Sequence, residues 1–272
     1  VFRKENKLKK LIAFDQDDTI NITKLPMDRE MAELFRQLLE KFQVCVISGS
    51  DWEVMKRNDI EPLENLGVKV NFENYFILPT TGTQFWSFSG ESKIELLEGE
   101  IKEGRWRRKY AHFLTRNQIE LIHAEMEAAV RTLGYWCENP EGEIIENRGS
   151  QVTYSALGQW ATPKDKHDWD EDMSKRKAII SRIKPRLSSI GVQVNIGGAT
   201  SIDVTLPGID KSYGMTQLIK QNSIKKEEIL FIGDKLQPGG NDYSVKEFGI
   251  DTIEVNNCKD TKWVIKGILG MS

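Results

Sequence analysis

The 272 residues predict an α/β protein with a parallel sheet, split by an inserted α+β domain. Three features carry that expectation. Short apolar runs of strand length alternate with helical spacing at both ends of the chain, the pattern of βαβ units. Several of those runs stop abruptly at acids or hydroxyls, as strands do whose carboxyl ends face a ligand. Between them, from about Gly90 to Pro207, helices mix with polar and apolar alternation, which suggests an antiparallel sheet.

The first run, residues 11–14, is apolar throughout and leads straight into Asp15, Asp17, Asp18 and Thr19. It reads as an interior strand ending in acid. Asp15 and Asp17, two apart on an extended exit, project to the same side and can share one ligand if a cation offsets their repulsion. A divalent metal with oxygen ligands suits that role. Taken alone, the same residues read equally well as a polar turn capping the next helix. Residues 20–26 form a loop, and Met31, Leu34, Phe35, Leu38 and Leu39 mark an amphipathic helix over 27–42. The helix returns the chain to a second strand, 44–47, through a right-handed crossover. Ser48-Gly-Ser50 then offers a helix N-cap before residues 51–55, an anion-facing hydroxyl, or both. Residues 75–78 are another apolar run, and 85–88 alternate like a short hairpin strand.

The inserted domain is expected over 89–207, with core segments 1–88 and 208–272 and linkers near 88–91 and 206–210. Its elements are a helix at 117–133, alternating segments at 143–146 and 151–156, a charged helix at 173–187, and strands at 191–196 and 201–206. The core resumes with a helix at 213–221, a strand at 229–232 ending in Gly233-Asp234, a helix around 243–248, a strand at 252–255 and a last helix from Thr261.

Composition narrows the function. A 39% hydrophobic, 29% charged chain with net charge −3 describes a soluble globular protein that buries a substantial core. Nucleic-acid binding is not expected, because the dense basic run from Arg105 to Lys109 around Trp106 is short and reads as a solvated helix start. No apolar run is long enough for a membrane span, and the charged residues 1–10 do not resemble a signal peptide, so a cytoplasmic location is expected. Cys45, Cys137 and Cys258 are widely spaced and indicate neither disulfides nor zinc. Trp136, Trp160 and Trp169 are read as packing residues, and His112, His123 and His167 as solvated or capping.

Asp15-x-Asp17-x-Thr19, Ser48, Lys211, and Gly233-Asp234 with Asn241-Asp242 follow the motif order of aspartate-nucleophile phosphotransferases. The chain thereby resembles the haloacid dehalogenase (HAD) superfamily. Within it, Gly233-Asp-Lys-Leu-Gln-Pro-Gly-Gly-Asn-Asp242, Ile196-Gly-Gly-Ala-Thr-Ser-Ile-Asp-Val204 and Gly208-Ile-Asp-Lys211 are similar to the eukaryotic-type phosphomannomutase family. The resemblance implies a Rossmann-like HAD core with an α+β cap.

It also implies roles. Asp15 is the nucleophile that forms an aspartyl-phosphate, and Asp17 protonates the leaving oxygen and later activates the acceptor. Mg²⁺ is implied on Asp15, the Asp17 carbonyl and Asp234. Thr19, Ser48 and Lys211 are implied phosphate contacts, and Lys24, Arg148, Ser201 and Asp203 substrate contacts. Asn241 and Asp242 support them: Asp242 orients Lys211 or the metal waters, or else the pair caps a helix. Three departures matter. Glu141 and Gln159 stand where the resemblance places phosphate-gripping arginines, Lys24 replaces a core arginine, and Asp18 replaces the usual glycine. The expected activity is therefore Mg²⁺-dependent hydrolysis of a small phosphorylated metabolite, a sugar phosphate. A hexose phosphomutase is the alternative, and a non-catalytic binding module a second one, against which the Asp15/Asp17 pair argues. A homodimer through the cap is also expected.

Overall fold

The computed structural model describes residues 8–90, 96–197 and 200–271. It divides into two compact units, 1–111 with 210–272 and, inserted between them in sequence, 112–209. The strands in chain order are β1 (Leu11–Asp15), β2 (Gln43–Ile47), β3 (Tyr75–Leu78), β4 (Gln84–Phe88), β5 (Ile101–Glu103) and β6 (Trp106–Ala111). Next come β7 (Ile145–Asn147), β8 (Gln151–Ser155), β9 (Gln193–Ile196), β10 (Ser201–Thr205), β11 (Ile229–Gly233) and β12 (Asp251–Glu254).

In the first unit the sheet runs β12-β11-β1-β2-β3-β4-β6-β5. The strands β12, β11, β1, β2 and β3 are mutually parallel, and β4, β6 and β5 continue antiparallel. Every residue of β1 is buried. The chain leaves β1 toward β2 on one side and comes back as β11 on the other, so strand order reverses at β1. Ligands bind outside the carboxyl ends of strands at such switch points.

Local chemistry sets the helices around that edge. Asp28 caps the helix Arg29–Lys41 by accepting from the Met31 N–H at 2.9 Å, and the helix buries Met31, Leu34, Phe35, Leu38 and Leu39. Phe35 meets Phe14 of β1 with ring centroids 4.9 Å apart. Each such aromatic or aliphatic side chain contributes about 1.5–3 kcal/mol on burial. Beside this helix lies the last one, Cys258–Met271, whose Lys262 reaches Asp28 and Glu30.

The expected domain border at residue 89 is corrected by β6. Strand β6 pairs with β4 from Gln84↔Ala111 to Phe88↔Trp106, so the parts of 89–111 that are described extend the core sheet. Residues 91–95, which overlap the expected first linker, lie outside the described residues. The basic run is a strand, not a helix start, because Trp106 is buried edge-on against Trp52, Phe72, Tyr75 and Phe88. Arg105 lies over the Phe72 and Phe88 rings and Arg108 over Trp86, so the cations cover aromatic surface.

The second unit is an antiparallel sheet in the order β7-β8-β10-β9 with the helices Arg116–Thr132 and Ser174–Ser188. Alternation along β8 and β10 sorts the two faces. Val152, Tyr154, Ile202 and Val204 join Ile122, Met126, Ile179 and Ile183 in one apolar core. Gln151, Thr153, Ser201 and Asp203 alternate with them and carry the polar face.

Candidate active site

β1 delivers Asp15 at its carboxyl end, where the carboxylate is buried. Lys211 donates to Asp15 Oδ1, and Thr19 Oγ1 donates to Asp15 Oδ2 at 3.1 Å. The same Lys211 Nζ donates to Asp242 Oδ1 at 2.5 Å. Burial alone would lower the Lys211 pKa, but Asp15 and Asp242 more than offset that and raise it. Burial pushes the Asp15 carboxyl up to about 7, aided by the like charges of Asp242 and Asp234 and opposed by Lys211.

Lys211 reaches this point because Asp210 caps its helix, Lys211–Asn222, accepting from the Tyr213 N–H at 2.9 Å. Asp242 is buried after β11, and its Oδ2 accepts from the Lys235 N–H at 3.1 Å. A Cβ at Gly233 would strike this Asp242 carboxylate, so glycine there is a packing requirement. The Asp242 side chain makes no cap bond to the following helix, Tyr243–Glu247; its geometry is that of a Lys211 holder. Asn241 is exposed.

Carboxylate oxygens of Asp15, Asp234 and Asp242 lie within 4.8 Å of one another. Asp234 Oδ1 is buried and has no hydrogen-bond partner among the described residues. Burial and Asp242 raise the Asp234 pKa, while Lys235, 3.2 Å from Oδ2, lowers it. An orphaned buried oxygen among hard donors fits a divalent cation. Asp15, Asp234 and Asp242 are the side chains placed to hold one, and Asp234 Oδ1 is the carboxylate oxygen of the three that has no partner among the described residues.

The loop after β1 is tied down by its own acids. Asp17 Oδ1 accepts from the Lys24 N–H at 2.9 Å. Asp18 accepts from the Thr23 N–H at 3.2 Å and from Thr23 Oγ1 at 2.8 Å. Asp18 has φ 61°, which explains why glycine is the expected residue there and how aspartate replaces it, by bonding locally in the left-handed region. Lys24 has φ 67° and sits half-buried at the far end of the same turn.

Ser48 is buried at the end of β2, and its Oγ accepts from the Ser50 N–H at 3.1 Å. The N-cap of the next helix is Asp51, which accepts from the Val54 N–H at 2.8 Å, so the expectation that Ser48-Gly-Ser50 supplies the cap is corrected. Asp51 has the carboxylate that reaches the third N–H, which leaves Ser48 for the strand end.

In the second unit Arg148 is paired with Glu146 at 2.5 Å, both side chains nearly inaccessible. Asp203 accepts from Gln151 Nε2 at 2.9 Å and Thr153 Oγ1 at 2.8 Å. Ser201 lies on the same strand and alternation face as Asp203. Glu141 and Gln159 lie on paired loops: the Glu141 N–H donates to the Leu157 carbonyl at 2.9 Å and the Trp160 N–H to the Glu141 carbonyl at 2.8 Å. Trp136 stacks under Arg131 and Trp169 packs edge-on to Tyr135, as packing residues do, while Trp160 is exposed. His112, His123 and His167 are exposed. Gly198 and Ala199 of the glycine-rich stretch before β10 lie outside the described residues. Asp59, which no sequence pattern singles out, is buried and bonded to Gln16, the residue between Asp15 and Asp17.

Comparison with known proteins places the chain in a family. Residues 133–271 match the family described as eukaryotic phosphomannomutase. Phosphomannomutase of Drosophila melanogaster is 26% identical over 267 residues, covering 95% of this chain and 95% of its own. That of Saccharomyces cerevisiae is 25% identical over 247 residues, covering 90% and 87%. Among solved structures, a haloacid dehalogenase-like hydrolase from Bacteroides thetaiotaomicron shares the fold with TM-score 0.62, 16% identity and coverage of 96% of this chain and 99% of that one. Plasmodium falciparum IMP-nucleotidase also shares it, at TM-score 0.63 and 15% identity over 97% of this chain and 68% of that one. The chain is a phosphoryl-transfer enzyme of the haloacid dehalogenase superfamily and belongs to its eukaryotic phosphomannomutase family.

Proposed function

We propose that this enzyme is a Mg²⁺-dependent hexose phosphomutase of the phosphomannomutase type, working through an aspartyl-phosphate on Asp15. The mutase, expected from the sequence only as the alternative to a phosphatase, moves ahead because relatives bearing that name align along nearly their whole length. In the site itself, the supporting observation is a buried Asp15 held from one side by Lys211 and from the other by Thr19. Lys211 fixes the nucleophile's direction and supplies positive charge where phosphoryl oxygens approach. Asp17, one residue beyond Gln16 and anchored to Lys24, exchanges the proton with the sugar oxygen. Ser48 contacts the transferring group, and Arg148, Ser201, Asp203 and Lys24 contact substrate. Mg²⁺, when bound by Asp15, the Asp17 carbonyl and Asp234, shields the negative charge between carboxylate and phosphoryl group. A homodimer through the inserted domain and a cytoplasmic location belong to the same proposal; no helix among the described residues is long and apolar enough to cross a membrane.

A phosphatase is the second reading, and the observation that favours it is the side-by-side placement of Glu141 and Gln159 on loops paired backbone to backbone. The sequence resemblance places arginines at both positions. Losing two charge-assisted phosphate contacts, each worth roughly 1.5–3 kcal/mol, weakens the hold on a bisphosphate while it turns around. Water then competes for the phosphoenzyme. The deciding experiment supplies mannose 1-phosphate and mannose 6-phosphate with a hexose bisphosphate activator and follows isomer exchange and free phosphate together. The mutase proposal expects exchange to exceed release; release without exchange overturns it in favour of the phosphatase.

A further inference from the structure

Behind the nucleophile loop lies a buried polar contact that the mechanism above does not use. Gln16, between Asp15 and Asp17, donates from Nε2 to Asp59 Oδ2 at 2.7 Å. Both residues are completely buried. The remaining oxygen of each, Gln16 Oε1 and Asp59 Oδ1, is also buried and has no partner among the described residues. Two acceptor oxygens left over on two side chains that already share one hydrogen bond are what remains when one proton is left out of account. A carboxylic acid and a primary amide close a ring of two hydrogen bonds: amide N–H to acid carbonyl, and acid O–H to amide carbonyl.

The surroundings favour the neutral form. No ion pair to Asp59 is found among the described residues, and an ionised carboxylate there would be buried with one amide hydrogen bond and no countercharge. The titratable groups that bear on it are Asp17 and Asp15 from the β1 loop and the Tyr75 hydroxyl from β3, and none of them is a cation. Burial pushes the Asp59 pKa well up; the Gln16 amide bond opposes it, and those two carboxylates add to it.

Backbone geometry gives the contact leverage. Trp52–Met55, Lys56–Ile60 and Glu61–Glu64 are successive helical segments, and the middle one is a π turn. That turn buries three consecutive residues, Asn58, Asp59 and Ile60, and such bulges are frequent at functional sites. Pro62 has no N–H to offer the Asn58 carbonyl, which instead accepts from the Met27 N–H at 3.0 Å. The π turn therefore grips the loop after β1 at its start, through Gln16, and at its end, through Met27.

We propose that Asp59 is a positioning residue, held as a neutral carboxylic acid whose Oδ1–H donates to Gln16 Oε1, and that this ring sets the loop carrying Asp15 and Asp17. The test pairs a spectroscopic measurement with two variants. In protein labelled with ¹³C at aspartate side-chain carboxyls, the resonance lost in Asp59→Asn stays at the neutral-acid position across the neutral pH range. Asp59→Asn, which preserves the ring with an amide, binds Mg²⁺ with beryllium trifluoride, a mimic of the aspartyl-phosphate, within about twofold of wild type. Asp59→Ala weakens that binding roughly 10- to 100-fold, the usual scale for loss of a supporting contact. A carboxylate resonance at Asp59 overturns the proposal, as does Asp59→Asn binding as poorly as Asp59→Ala. Folded Asp59→Ala with unaltered binding also overturns it, because the contact is then only structural. The resonance needs no destabilised variant, and beryllium trifluoride binding needs no sugar substrate, so the result stands apart from the identity of the substrate.

Discussion

Gly82 and Gly214 meet backbone to backbone: a Cβ on Gly82 would run into the Gly214 Cα, and one on Gly214 would come within 3.4 Å of the Gly82 Cα. Gly82 closes the turn after β3 with φ 81°, and Gly214 lies one turn into the helix that begins with Lys211. The two glycines let the lysine-bearing helix settle directly on the strand ends. Gly82→Ala should therefore destabilise by about 1–3 kcal/mol through overpacking and left-handed strain. It should also shift Lys211 off Asp15, lowering turnover more than the loss of folded protein explains. Denaturant unfolding and kcat on the same preparation check both.

Lys211 compensates two buried carboxylates at once. Lys211→Met leaves both unpaired and should cost on the order of 3–5 kcal/mol. Adding Asp242→Asn to that variant should restore part of the stability and none of the activity. Equal stability of Lys211→Met and wild type in urea would contradict the burial argument.

Much of this was legible beforehand, for physical reasons that differ by element. β1, β2 and β11 are apolar runs stopped by a polar residue, so both the strand and its functional end showed in the sequence, and β3 showed as an apolar run ended by Pro79. The inserted sheet showed through alternation in β8 and β10. β6 did not show, because Arg107, Arg108 and Lys109 look solvated in sequence, whereas here only Trp106 betrays a strand and the cations lie half-buried. The Gln16–Asp59 contact was invisible because it joins side chains 43 positions apart through a π turn that no periodicity announces.

A surface cluster joins the first and last helices of the core. Lys266 and Lys262 hydrogen bonds hold the Glu30 carboxyl down at about 2, from 4.5. At Asp28 burial pushes the pKa up, but the Lys262 and Met31 bonds outweigh it and the net shift is downward. Depressed carboxyl pKa values stabilise above the unfolded values and lose that contribution as pH falls through the folded ones. Glu30→Gln should lower Tm slightly at neutral pH and low salt. The difference from wild type should shrink between pH 4.5 and about 2, and also with added salt, since the groups are exposed. Thermal melts across pH and ionic strength report it.

Restoring positive charge where Glu141 and Gln159 stand tests what those residues do. Glu141→Arg with Gln159→Arg should raise the ratio of isomer exchange to phosphate release by roughly tenfold or more, the effect of regaining about 1.4 kcal/mol or more of bisphosphate retention. An unchanged ratio would show that the two positions do not govern partition between sugar and water.

The central claim is that Asp15 carries the phosphoryl group, and trapping that group tests it most directly. Enzyme mixed with Mg²⁺ and a hexose bisphosphate, quenched in acid and reduced with borohydride, should show modification at Asp15 by peptide mass spectrometry. Asp15→Asn should remain folded, show no modification and lose at least about a thousandfold in turnover. A phosphoryl group found on another residue, or turnover that persists in Asp15→Asn, would contradict the account.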